Sequence, residues 1–118
     1  MKKFMAVFTG APNSPQGQAW QKLDEKTRNE RIAAGMQAWH KWHADHAGAV
    51  VDGGGPLGKT KRTTGAGIAD TSNNLSGFTI VQAESHEAAA KLFENHPHFS
   101  IFPGDGVDIM EVMPIPGQ

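Results

Sequence analysis

The residues of this chain best suited to chemistry are its histidines. There are six of them and no cysteine, so thiolate nucleophiles, disulfides and cysteine-ligated zinc are excluded together. Two clusters stand out: His40-Lys41-Trp42-His43-Ala44-Asp45-His46, and His96-Pro97-His98. An imidazole exchanges protons near neutral pH and can serve as base, acid or metal ligand. A general base also needs a partner that fixes its tautomer. His43 is the candidate base, with Asp52 and His96 as candidate catalytic partners. His40, His46, Trp39 and His98 are candidate ligand contacts. A purely structural role competes with this, in which His43 and His46 pack on the helix and each bonds a backbone carbonyl through one nitrogen. A metal site would need three ligands, which His43, His46 and either His96 or His98 would have to supply. Spacing of i, i+3 without a glutamate is not a zinc pattern, so no metal is expected, and no cofactor either.

Other features carry less chemistry. Gly53-Gly54-Gly55 lacks the spacing of a phosphate loop and no helix follows it, so it reads as a tight turn leaving a strand. Lys59, Lys61 and Arg62 read as a solvated edge that discourages strand-to-strand association, with attraction of a carboxylate ligand as the functional alternative. Trp39 and Trp42 read as core or dimer packing. Ser14, Ser76 and Ser100 lie in no G-x-S-x-G context, which leaves a hydrolase triad unsupported.

These side chains need elements to hold them. Residues 2–9, KKFMAVFT, read as a strand whose two faces are both apolar, Phe4, Ala6 and Phe8 against Met5 and Val7; such a strand must be covered twice. A loop follows from Gly10 to Gly17, then a short helical turn at Trp20 and Leu23. Thr27-Arg28-Asn29-Glu30 fits a capping box. From there Ile32, Met36, Trp39, His43 and His46 recur at helical steps, giving a helix of about twenty residues that Gly48 stops. Ala49 to Asp52 reads as a short strand, and Lys59 to Asp70 as a Thr- and Gly-rich edge hairpin. Leu75 to Ala83 is the most strand-like run, again apolar on both faces. Ser85 caps a second helix lined by Ala89, Leu92, Phe93 and His96, and Pro97 ends it. Val107 to Met113 closes as a strand.

The chain has 118 residues, net charge −1, 38% hydrophobic and 19% charged residues. That size suits one domain, 1–118, and the sparse charge together with three Trp and six Phe argues against disorder. Lysines and arginines are scattered, so no nucleic-acid partner is expected. The apolar run Phe4 to Phe8 is too short for a signal peptide, and no run is long enough to span a membrane. A soluble, cytoplasmic protein with no membrane partner is the expectation.

The order is β, long α, β with a hairpin insertion, β, α, β. This is an α+β chain with the split βαβ arrangement of ferredoxin-like βαββαβ domains, two helices on one face of an antiparallel sheet. A second copy is the simplest cover for the other face, so two sheets meeting as a dimeric α/β barrel are expected, with a homodimer as partner.

In order and spacing the sequence resembles the YCII-related family of dimeric α/β-barrel proteins. The features that carry the resemblance are FMAVFTG, the long helix ending at Gly48, Val50-Val51-Asp52-Gly53-Gly54-Gly55-Pro56-Leu57, GFTIVQA with the SHEAAAKLF helix, NHPHFSI, and DIMEVMPI. The resemblance implies a small homodimer related in fold to muconolactone-isomerase-type enzymes. It also implies a cleft between helices and sheet, where some members are thought to act through a histidine of the first helix and an aspartate before the proline that follows the second helix. Here the residue before that proline is His96. Two classes of function follow: an enzyme moving protons on a small molecule, of lyase or isomerase type, or a non-catalytic module that binds a small molecule in the same cleft. A His-ligated metal protein is a third.

Overall fold

A sheet with apolar residues on alternate faces of its central strands needs helices on one side at least, and that is how the chain is built. The computed structural model describes residues 1–117. Its strands are β1 (Lys2–Thr9), β2 (Val50–Pro56), β3 (Thr60–Thr64), β4 (Gly67–Thr71), β5 (Leu75–Ala83) and β6 (Gly106–Glu111). Its helices are α1 (Pro15–Gln21), α2 (Glu25–Asp45), α3 (His86–Lys91) and α4 (Pro97–Ser100). Four strands form one antiparallel sheet in the order β2-β5-β1-β6. Leaving out β3 and β4, this is the βαββαβ order of a ferredoxin-like fold.

Phe4, Ala6 and Phe8 of β1 and Val81 and Ala83 of β5 are buried in one cluster with Trp42 of α2, Ala89 of α3 and Phe93 just beyond it. Met5, Val51 and Met110 lie among the exposed large apolar residues. With principal extents of 54 × 42 × 19 Å the molecule is two layers thick, helices on one sheet. β3 and β4 do not join that sheet. They form a separate two-stranded ribbon in which every residue from Lys61 to Asp70 is exposed. The radius of gyration, 16.3 Å, exceeds the roughly 13.5 Å of a compact chain of this length.

Several local expectations are corrected. α2 begins three residues ahead of the Thr27 capping box: Asp24 is the N-cap and its carboxylate accepts from the Thr27 amide. The Thr27 side chain, and next that amide, hold the Asp24 carboxyl below the usual carboxylate value. The inward stripe of α2 is also displaced. Ile32 and Met36 are exposed, whereas Gly35 and Trp42 are buried. Gly35 sits inward because Phe102 lies flat on it, and any Cβ there would meet the Phe102 ring. α1 starts within the expected loop, with Ser14 as N-cap and Pro15 in the first turn. α3 ends at Lys91 rather than running to His96, and His96 instead caps a separate short helix, α4. β6 stops at Glu111.

The largest departure is the glycine run. Gly53, Gly54 and Gly55 do not leave the sheet; they are the body of β2, an edge strand whose register on β5 slips between Val50 and Asp52 and again between Asp52 and Gly55. Gly54 has φ +62°, and a Cβ there would collide with the Phe78 carbonyl, so glycine is required at that position.

Candidate functional site

The bulged strand leaves space beneath the C-terminal half of α2, and a cavity of about 500 Å³ fills it. Its size is that of a small-ligand site. α2 contributes Met36, Trp39, His40, Trp42 and His43; β2 contributes Gly53 to Pro56; β5 contributes Ser76 to Thr79; Phe8, His98 and Phe102 close the far side. Four aromatic side chains, Phe8, Trp39, Trp42 and Phe102, make the wall mainly apolar. Among the described residues of the lining the only ionisable groups are imidazoles: His40, His43 and His98.

These side chains are held from the backbone outward. The Trp42 indole N–H donates to the Leu92 carbonyl at 2.8 Å, tying α2 to the end of α3. The Trp39 ring stands edge-on to His96, with centroids 4.6 Å apart. The Thr79 hydroxyl donates to the Asp52 carbonyl at 2.8 Å, pinning the slipped strand. His43 packs perpendicular to Trp42 and makes no hydrogen bond within the described residues. Its Cε1 lies 3.8 Å from where a Cβ on Gly53 would be, so the glycine strand leaves room for the imidazole. His98 is held on both sides: its amide N–H donates to His96 Nδ1 at 3.0 Å, and its Nε2 lies 2.8 Å from the Thr9 carbonyl oxygen.

His40, His43, His98 and Trp39 therefore share one cavity, and the other candidates lie outside it. Asp52 does not line the cavity; its carboxylate accepts from the Gly54 amide at 2.8 Å, closing a local turn instead of facing His43. His46 Nδ1 donates to the Trp42 carbonyl at 2.8 Å and its ring stacks on the Trp42 indole, the packing arrangement of a helix histidine. His96 is wholly buried behind the wall among Phe8, Trp39, Trp42 and Phe93. Burial, and next the neighbouring His98, His43 and His46, push its pKa down to about 3, so the ring is neutral. Its Nδ1 accepts from His98, so the proton is on Nε2, which has no partner. Among the described residues no three histidine or carboxylate side chains converge as a metal site would require.

No protein-family model matches the chain, and no curated protein matches it in sequence. The fold, however, has a solved relative. The chain is similar in structure to 5-chloro-2-hydroxyhydroquinone dehydrochlorinase from Burkholderia phenoliruptrix AC1100, solved in complex with 2,5-dihydroxybenzoquinone. The likeness has a TM-score of 0.54 and covers 94% of this chain and 93% of that one, at 18% identity. It establishes a shared α+β fold. Among the described residues no helix is long and apolar enough to cross a membrane.

Sequence reasoning missed Phe102 as part of the cavity wall. It enters the cavity from a segment distant along the chain, and helical periodicity carries no trace of it. One signal was available for Phe102: a glycine inside a long helix, Gly35, marks close approach by another group. The sequence offers no comparable sign of how β2 is bulged, because only pairing with β5 decides whether a glycine run turns or stays in the sheet.

Proposed function

We propose that this chain is a YCII-like protein that takes a flat, ring-containing small molecule into the cavity and moves a proton on it, with His43 as the solvent-reachable acid–base group. The observation that carries this reading is the cavity wall, aromatic on several sides and ionisable only through imidazoles. Aromatic faces favour a planar ring. With no carboxylate, lysine or arginine in the wall to neutralise a charge, they favour a ligand that enters uncharged. The solved relative acts on a chlorinated hydroxyhydroquinone and was captured with a dihydroxybenzoquinone, and hydroxylated rings of that kind meet the demands of this cavity. They are the first class to screen.

The test is a panel of di- and trihydroxybenzenes and benzoquinones, with binding read by tryptophan fluorescence and turnover by ring absorbance. Trp39 and Trp42 should be quenched by ligands that fit, and His43→Ala should keep binding while losing turnover. If no member of the panel quenches or stabilises the wild-type protein, the reading is refuted. A non-catalytic binding role has one observation in its favour: among the described residues, none hydrogen-bonds His43 to fix its tautomer. Binding by the wild type with no product from any ligand would select it.

The same reading includes a homodimer. Alternation in β1 and β5 puts Met5, Val7, Phe78 and Ile80 on the face away from the helices, and Met5 and Met110 pair directly across β1 and β6. A second copy laid on this face would form the dimeric barrel. Light scattering at micromolar concentration should give about twice the 12.7 kDa chain mass; a monomeric mass would remove this part of the proposal.

A further inference from the structure

His98 differs from the other two imidazoles of the cavity in one respect: its protonation pattern is dictated by the backbone. A carbonyl oxygen can only accept, so the 2.8 Å contact between Nε2 and the Thr9 oxygen means that Nε2 carries the proton. In the neutral ring Nδ1 is then a bare lone pair. Among the described residues that nitrogen has no hydrogen-bond partner. His96 Nε2 is the one fully buried side-chain nitrogen or oxygen without a partner among the described residues. His98 Nδ1 also has no partner among the described residues, but it is not one of the fully buried atoms. The His98 residue is only 8% exposed and lines the cavity. The ring has little freedom to turn. Gly104 packs against its face so closely that a Cβ there would overlap the ring, and the His98 amide is tied to His96.

Resting on the reading of the cavity as a ring-binding site, we infer that His98 Nδ1 is the fixed proton acceptor for a hydroxyl borne by the bound ring, a phenol or an enol. The ligand O–H bond breaks, an Nδ1–H bond forms, and the ring remains as an oxyanion beside the imidazolium, whose positive charge is shared with the Nε2–H already held by Thr9. The backbone carbonyl stands where a carboxylate often orients a catalytic histidine. His43, unpartnered and closer to solvent, is left to exchange the second proton.

Two measurements test this. In protein labelled with 15N-histidine, long-range nitrogen–proton correlation spectra should show His98 with its proton on Nε2 and a bare Nδ1 in the absence of any ligand; a proton on Nδ1 overturns the inference. The second uses 4-nitrophenol, whose ionised form absorbs visibly. At a pH about one unit below its solution pKa, the protein-bound phenol should show about a tenfold larger ionised to neutral ratio than the free phenol. His98→Gln keeps an amide N–H for the Thr9 carbonyl and has no basic nitrogen. It should bind 4-nitrophenol, as read by tryptophan quenching, without the gain in ionisation, while His86→Gln, on α3 away from the cavity, should behave as wild type. Equal ionisation in His98→Gln and wild type overturns the role of His98 and leaves the cavity reading standing. Absence of quenching in the wild type overturns both. If His98→Gln fails to fold, the wild-type spectra decide: on binding, the His98 Nδ1 resonance should move toward the protonated range, and a stationary resonance overturns the inference.

Discussion

The neutral, buried His96 should make the protein acid-labile in a way that a single substitution can expose. Its ring has no solvent exposure and a pKa of about 3, against 6.5 in an unfolded chain. Between those values the unfolded state binds a proton that the folded state refuses, so stability rises with pH across that window and levels off above about pH 6.5. The limiting slope is about 1.4 kcal/mol per pH unit. Integrated from pH 7 to pH 5, the loss is about 2 kcal/mol from this one residue, a large share of the stability of a small domain. Urea unfolding of the wild type at pH 7, 6, 5 and 4, set beside His96→Asn, isolates the effect. Asparagine places an oxygen where Nδ1 accepts the His98 amide, so the cap of α4 is kept while the titrating ring is removed. The variant should be less stable at pH 7, because part of the aromatic enclosure is emptied, yet lose less stability on acidification, and the two curves should converge as pH falls. Parallel curves would show that His96 does not titrate as its burial requires.

Three further substitutions probe the elements around the cavity. Gly54→Ala should cost at least about 2 kcal/mol, from the left-handed backbone and the collision with the Phe78 carbonyl, and should also abolish ring binding as β2 is forced off β5; a denaturation midpoint within error of wild type would contradict this. Trp42→Phe leaves the Leu92 carbonyl without its indole donor and should cost about 1–3 kcal/mol by urea unfolding. Gly35→Ala should change stability by less than about 1 kcal/mol, the gain in helix propensity offsetting the push on Phe102. The same change should weaken ring binding severalfold by fluorescence titration, because the displaced ring is a cavity wall.

How much of this was legible in the sequence depends on whether the deciding contact is local. β5 was readable from Leu75 to Ala83 because its two-sided apolar pattern has no other explanation. The long helix was readable too, but not its starting point, since Asp24 and Thr27 both offer a side-chain oxygen three residues ahead of a suitable amide. Its inward face was misjudged because a tally of apolar residues gives weight to Ile32 and Met36 and none to Gly35. The histidines were singled out as candidates, and His40, His43 and His98 share a cavity with Trp39. Asp52 was selected because the end of the second strand was expected near the C-terminal half of the long helix. The double slip in β2 and the turn closed on Gly54 direct its carboxylate elsewhere, and no pattern in the sequence encodes a slip of register.

The free-standing ribbon of β3 and β4 bears on how the chain can be handled. It emerges where β2 ends and returns where β5 begins, and the Leu57 amide donates to the Ser76 carbonyl at its base. The register of the sheet is therefore set below the ribbon and owes nothing to its tip. A peptide spliced in between Gly65 and Ala66 would lengthen the ribbon without disturbing the cavity. Trypsin should cut first at Lys59, Lys61 and Arg62, leaving a nicked chain whose two fragments stay bound through β5, β1 and β2.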